Sequence, residues 1–212
     1  MAPETRADKL ELVGGRLCLD FTNTVGGRMS AEPNERLTSY LELVAWARHA
    51  GILTPEKAEQ LIVHASRQPD AAEAVLRRAI DLREALYRIF SVSAVALPPR
   101  ETDLNALNDV LPAAMSRLRL ERGATACSWI WAEDGELDQM LWPIARSAAE
   151  LLTSGELQRV RECAGDSCNW LFLDMSKNRS RRWCDMNDCG NRAKARRHYQ
   201  RVTGRVGDRT SG

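Results

Sequence analysis

Cys163-Ala-Gly-Asp-Ser-Cys168, a gap of fifteen residues, then Cys184-Asp-Met-Asn-Asp-Cys189: this stretch decides how the C-terminal part of the 212-residue chain folds. Two cysteine pairs joined by a loop bring four thiolates to the corners of a tetrahedron, the coordination Zn2+ takes. Four cysteines fill every position of such an ion and leave none for water or substrate, so the expected role is structural. The same residues would also serve a pair of disulfides, or an iron–sulfur cluster, which takes four thiolates as well. The chain begins MAPETRADKLE, with no apolar signal stretch. The expected location is therefore a reducing cytoplasm, where this spacing favours metal over disulfide. Cys18 and Cys127 stand alone in apolar surroundings and are expected in the core.

Between the pairs, residues 170–173 and 181–183 are expected as the two strands of a hairpin that turns at Ser176-Lys177-Asn178. A helix over 192–202 follows Gly190-Asn191. Ala195, Tyr199 and Val202 make a narrow apolar stripe on it, expected to rest on the hairpin and its tryptophans. Arg192, Lys194, Arg196, Arg197 and Arg201 surround the stripe. Cations so close on one helix repel at i,i+4. With Arg179, Arg181 and Arg182 nearby they suit phosphate, whose neutralisation releases counterions. Arginine can also read guanine in the major groove. DNA is the expected partner. RNA, stacked on tryptophan and arginine, and an acidic protein surface are the alternatives.

The charge distribution agrees. From residue 159 onward there are 13 Lys and Arg against 6 Asp and Glu; the rest of the chain has 17 against 23. A near-neutral total thus hides two parts of opposite sign, and the basic one suits a polyanion. No apolar run approaches the roughly 20 residues that span a bilayer, so no membrane partner is expected.

Upstream, the first ten residues are expected to be disordered, and residues 16–21 (RLCLDF) read as a short strand after Gly14-Gly15. Residues 26–37 read as loop. Helices are expected over 39–50, closed by Gly51, and from Pro55, capped by Thr54. The clearest helix covers 71–95, with Asp70 as cap and Val75, Ala79, Leu82, Leu86, Ile89 and Phe90 on its buried face. A helix over 103–111 should end at Pro112. Residues 116–121 and 126–132 alternate as a hairpin, followed by a turn at Glu133-Asp134-Gly135. A helix over 137–153 should be kinked by Pro143. Trp46, Trp129, Trp131 and Trp142 are expected in the core, with the wall of a pocket as the alternative. His49 and His64 belong to no catalytic constellation, and no P-loop, GxGxxG, HExxH or GxSxG pattern is present, so no enzyme is expected. A small enzyme with a zinc staple remains the alternative.

RECAGDSCNWLFLD over 161–174 and RRWCDMNDCGNRAKARRH over 181–198 together resemble the CGNR zinc-finger family, whose naming residues stand at Cys189, Gly190, Asn191 and Arg192. LDFTNT over 19–24, followed by Arg28, resembles the ABATE domain that precedes this finger in bacterial proteins. The resemblance implies a stress-related transcription regulator whose finger binds DNA and whose N-terminal domain senses a small molecule. Asp20, Asn23, Thr24 and Arg28 are the candidate ligand-binding residues; satisfying the backbone of the turn is the competing role for the first three. The expected fold class is α+β: an α-rich N-terminal domain with a small antiparallel β element, then a treble-clef-like four-cysteine module. The expected units are 1–155, the zinc module over 156–205 and a flexible tail over 206–212. A single short basic helix reads few base pairs, so a homodimer is expected on general grounds.

Overall fold

A computed structural model describes residues 5–28, 30–132 and 135–207, with side chains up to Gln200. Glu133 and Asp134 of the expected turn, the side chains of Arg201 and Val202, and residues 208–212 of the expected tail lie outside the described residues. The class is mixed: eight α-helices and three two-stranded antiparallel sheets among the described residues. No described helix is long and apolar enough to cross a membrane.

α1 (Leu17–Thr22) sits at the centre, with Cys18, Leu19 and Phe21 fully buried. It touches α4 (Pro69–Ala94) and α7 (Leu141–Thr153). This corrects the strand expected over 16–21. Five of its six residues are buried, so the run has no polar face from which to read a period, and although it also packs on residues 171–173 its own amides bond along the helix rather than to a strand edge. Gly14 admits the tight approach: a Cβ there would lie 2.8 Å from the Asp20 amide nitrogen.

β1 (Val25–Gly26) and β2 (Asn34–Glu35) form a short ribbon inside the expected loop. α2 (Tyr40–His49) and α3 (Pro55–Arg67) begin where their sequence signals place them. Ser39 accepts from the Glu42 amide, Thr54 from the Lys57 amide, and Gly51 takes φ +73° after α2. α4 starts two residues earlier than expected: Pro69 opens it and Gln68 takes the cap position, so Asp70 acts through its charge in the first turn. α5 (Glu101–Asn108) is followed by α6 (Leu111–Arg117), which Pro112 opens rather than ending its predecessor. Pro143 likewise stands in the first turn of α7, where its missing N–H costs nothing, so it kinks no helix.

β3 (Leu118–Arg122) and β4 (Cys127–Trp131) form the expected hairpin, but it projects into solvent. Trp129 is 54% exposed and Cys127 is exposed as well, which corrects the core placement of both. Trp46 and Trp142 are buried as expected, and Trp131 lies 6.2 Å from Trp142, ring to ring. The expected disorder over the first ten residues is also corrected for residues 5–10. Ala7 is fully buried, its amide donates to Glu42, and Asp8 pairs with Arg48.

β5 (Val160–Glu162) and β6 (Leu171–Leu173) make the third sheet, in register Val160↔Leu173 and Glu162↔Leu171. The hairpin of the zinc module is therefore formed by strands on either side of the first cysteine pair, not by 170–173 with 181–183. Residues 181–183 run beside it without pairing as a strand. The buried Asp174 holds them by accepting from the Ser176 and Arg181 amides, and Ala164 N–H donates to the Arg182 carbonyl. Val160, Leu171 and Leu173 belong to the same apolar core as α1, α4 and α7. α8 (Asn191–Gly207) then leaves the body, and runs five residues past the expected end. Tyr199 is 69% exposed and Ala195 is exposed too, which corrects the stripe expected to rest on the hairpin.

Candidate metal centre and the basic helix beside it

Four buried sulfurs meet between β5, β6 and α8. The Sγ atoms of Cys163, Cys168, Cys184 and Cys189 all lie within 4.8 Å of one another. Cys168 to Cys184 is 3.5 Å and Cys184 to Cys189 is 3.7 Å. A Zn–S bond of about 2.3 Å in a tetrahedron sets sulfurs roughly 3.8 Å apart, whereas a disulfide needs about 2.05 Å. The donor set thus fits one divalent ion and no disulfide. Four sulfurs this close cannot all ionise on their own, because each thiolate repels the next. Hydrogen bonds from Cys168 and then Cys184 hold Cys163 well below the usual thiol range, and that sulfur in turn pushes Cys168 and Cys184 upward. A bound dication stabilises all four thiolates together.

Local sequence shapes both knuckles. Cys163 follows β5 directly, and its amide donates to the Trp170 carbonyl. Asn169 takes φ +57° to bring the chain back. In the second knuckle Asp185 accepts from the Asn187 and Asp188 amides, fixing the wide turn Met186–Gly190 that carries Cys189. Gly190 closes this turn, its N–H donating to the Asp185 carbonyl, and packs under the flexible Met186 side chain, whose sulfur lies 2.9 Å from where a Cβ would stand. Asn191 reaches back to the Asn187 carbonyl, and Arg192 donates to the Cys189 sulfur at 3.1 Å while pairing with Asp188. A guanidinium on a ligand sulfur helps keep it as thiolate and orients it, as partners of metal ligands do. Asp185, Asp188 and Asn187 were not singled out from the sequence. The i,i+4 spacing of Asp188 to Arg192, and the Asp-x-Asn-Asp turn, are the signals that carried them.

The basic residues divide by what they touch. Arg181 braces the second cysteine pair: it donates to the Trp183 and Cys184 carbonyls and lies 4.5 Å over Phe172. Arg179 is exposed, at φ +50°, and reaches Gln158. Arg182 stacks over Trp183 at 5.3 Å. Arg192, Lys194, Arg196 and Arg197 are exposed on the first turns of α8, with Arg196 paired to Asp166. Arg182, Trp183, Arg192, Arg196, Arg197 and Gln200 line a cleft of about 310 Å³ beside the first knuckle.

The four candidate ligand residues have separate partners. Asp20 accepts from the Gly14 amide at 2.7 Å; burial pushes its carboxyl up to about 6, against that hydrogen bond. Asn23 clasps strand β6, its Oδ1 accepting from Leu171 N–H and its Nδ2 donating to Leu171 C=O, both at 2.9 Å. Thr24 donates to Phe21 C=O and accepts from Arg83, which pairs with Glu35. Arg28 pairs with Glu84, donates to Thr22 C=O and lies 4.0 Å over Tyr87. Thr24 and Arg28 thus meet the Arg83–Glu84 stretch of α4, while Asp20 and Asn23 face elsewhere. A cleft in this part of the chain, about 350 Å³, is bounded instead by Leu53, Lys57, Trp131 and Trp142.

Comparison with known families matches residues 15–155 to ABATE, described as "Putative stress-induced transcription regulator". The chain belongs to the ABATE family. Residues 159–202 match the CGNR zinc finger, so the four-cysteine centre is that finger's structural zinc site. The glycine, asparagine and arginine that name the finger are, in this ABATE protein, the residues that close the turn and hold the Cys189 sulfur. No curated protein matches the chain.

Proposed function

We propose that this ABATE protein is a zinc-dependent DNA-binding regulator, with α8 as the binding element and the helical N-terminal part as the sensor of a small molecule. One observation carries the reading. α8 stands away from the core, exposes Arg192, Lys194, Arg196 and Arg197, and has no acidic residue from 191 to 207. A helix with so little packing and so much like charge is stabilised by neutralisation, which DNA phosphates supply. Arg179 and Arg182 extend the same surface, whereas Arg181 is occupied by its own backbone contacts. The sensor half of the reading rests on the clasp of Asn23 on Leu171, which ties any shift of α1 to the strand beside the zinc site.

The test is binding of full-length protein to duplex DNA across a salt series, before and after zinc chelation. Arg196→Ala with Arg197→Ala avoids the residue that touches Cys189. The pair should lower affinity and flatten the log–log salt slope by about 0.9 for each phosphate that is no longer neutralised. Unchanged binding in the double variant removes α8 from the interface. Trp183 beside Arg182 in the cleft favours single-stranded RNA as a second reading, because an unpaired base stacks on such a surface. Competition between duplex DNA and unpaired RNA separates the two.

A further inference from the structure

The β3–β4 hairpin leaves one edge of β3 without a strand, since among the described residues its sheet holds these two strands alone. Its bonds define which groups face that edge. Ala132 N–H donates to Arg117 C=O and Gly123 N–H to Ala126 C=O, so odd-numbered residues of β3 pair through hydrogen bonds with β4. The N–H and C=O groups of Leu120 and Arg122 therefore point outward, to the open edge. An edge of this kind is a template for another strand, and a two-stranded hairpin is marginal by itself.

Side chains reinforce the point. Leu120 and Trp129 are cross-strand neighbours on one face, 62% and 54% exposed. Arg119 and Glu121 alternate onto the other face, both exposed; the Arg119 guanidinium donates to the exposed Ser116 and Leu118 carbonyls, solvent-side bonds that it exchanges for a carboxylate when a second strand takes up the Leu118 carbonyl.

We propose that β3 pairs antiparallel with β3 of a second copy of this chain, making a four-stranded sheet across a two-fold axis at Leu120. The charges select this occupant and this register. With Leu120 opposite its counterpart, Arg119 of each copy faces Glu121 of the other, twice by symmetry. A shift of two residues in either direction sets Arg119 against Arg119, or Glu121 against Glu121. Leu120 has its N–H and C=O turned outward, as the central hydrogen-bonded pair requires, and the flanking Arg119–Glu121 pairs fall at the closer, non-hydrogen-bonded positions. On the opposite face Trp129, Leu120 and their counterparts join into one apolar row. The contact is isologous and closes at two copies. It is independent of any nucleic-acid reading.

Sedimentation of the zinc-loaded full chain over a concentration series tests it. The wild type should move from monomer to dimer. Glu121→Arg places Arg119 opposite arginine at two symmetric positions and should weaken association about tenfold or more. Adding Arg119→Glu restores opposite charges and should bring the dimer back. Leu120→Pro removes an outward N–H that β4 does not use, so the hairpin keeps its ladder while dimerisation is lost. Circular dichroism and thermal unfolding check that each variant is folded. A wild type that stays monomeric would leave the edge to an unrelated strand and overturn the proposal. A dimer indifferent to Glu121→Arg, or not rescued by the double reversal, would equally overturn it.

Discussion

The two halves of this protein are held by different physics. From α1 to α7, large apolar side chains such as Phe21, Trp46, Leu86, Phe90 and Ile144 are buried against one another. Around the metal centre the buried set shrinks to the four cysteines and Phe172. The first half is stable by area removed from water; the second is too small for that and depends on its ligands. The border between these regimes does not follow the sequence. β5 and β6 lie inside the finger's stretch of chain, yet Val160, Leu171 and Leu173 are buried in the core of the first half.

Removing zinc is the largest perturbation, of the order of 10 kcal/mol in linkage for a four-ligand site, and it should break the halves unequally. Hydrogen exchange after chelation, or in Cys189→Ser, should show residues 164–170 and 184–190 unprotected while the amides of β6 stay protected. Loss of protection at Leu171–Leu173 together with the knuckles would mean that the core does not reach so far. Asn23→Ala comes next. It strands a buried donor and acceptor of Leu171 at a cost of about 2–4 kcal/mol. Because Asn23 sits on the seam, both unfolding temperature and zinc retention should fall. A lower melting temperature with unchanged zinc retention would separate the halves.

The smallest effect sharpens the picture of the first half alone. The Asp20 carboxyl is raised by burial from 3.8 to about 6 in the folded protein. The folded state therefore holds the proton more tightly, and the stability it gives is present below about pH 4 and lost as pH rises through 6, roughly 2–3 kcal/mol in all. Asp20→Asn keeps an acceptor for the Gly14 amide and carries no charge. The variant should match the wild type near pH 4, exceed it at pH 7, and flatten the slope between. A difference between variant and wild type that is the same at both pH values would place the carboxylate in a better-solvated setting than its burial implies.

The metal site was legible because ligand spacing is a local property of the chain, and so was the cap at Thr54, where one side chain meets an amide three residues away. What failed was non-local. The partner of β6 is fixed by a register that spans the first knuckle, and residues 170–173 resemble a strand equally well beside either neighbour. α1 was illegible because burial of five of its six residues leaves no polar face to mark a period. The exposure of Trp129, Cys127 and Tyr199 reversed a rule that runs one way only: buried positions are apolar, but apolar residues are not all buried. Asn23 was singled out with its role open between pocket and turn; its partner lies 148 residues away, and no window along the chain connects them.

That clasp has an engineering consequence. The stretch between the two family matches, 156–158, invites a cut-and-paste of finger and sensor as independent parts. A finger transplanted there would arrive with the backbone of Leu171 looking for an amide at position 23 of its new host. Hybrids should assemble cleanly only when the recipient offers an asparagine in the same place, so the two parts must be exchanged as lock and key.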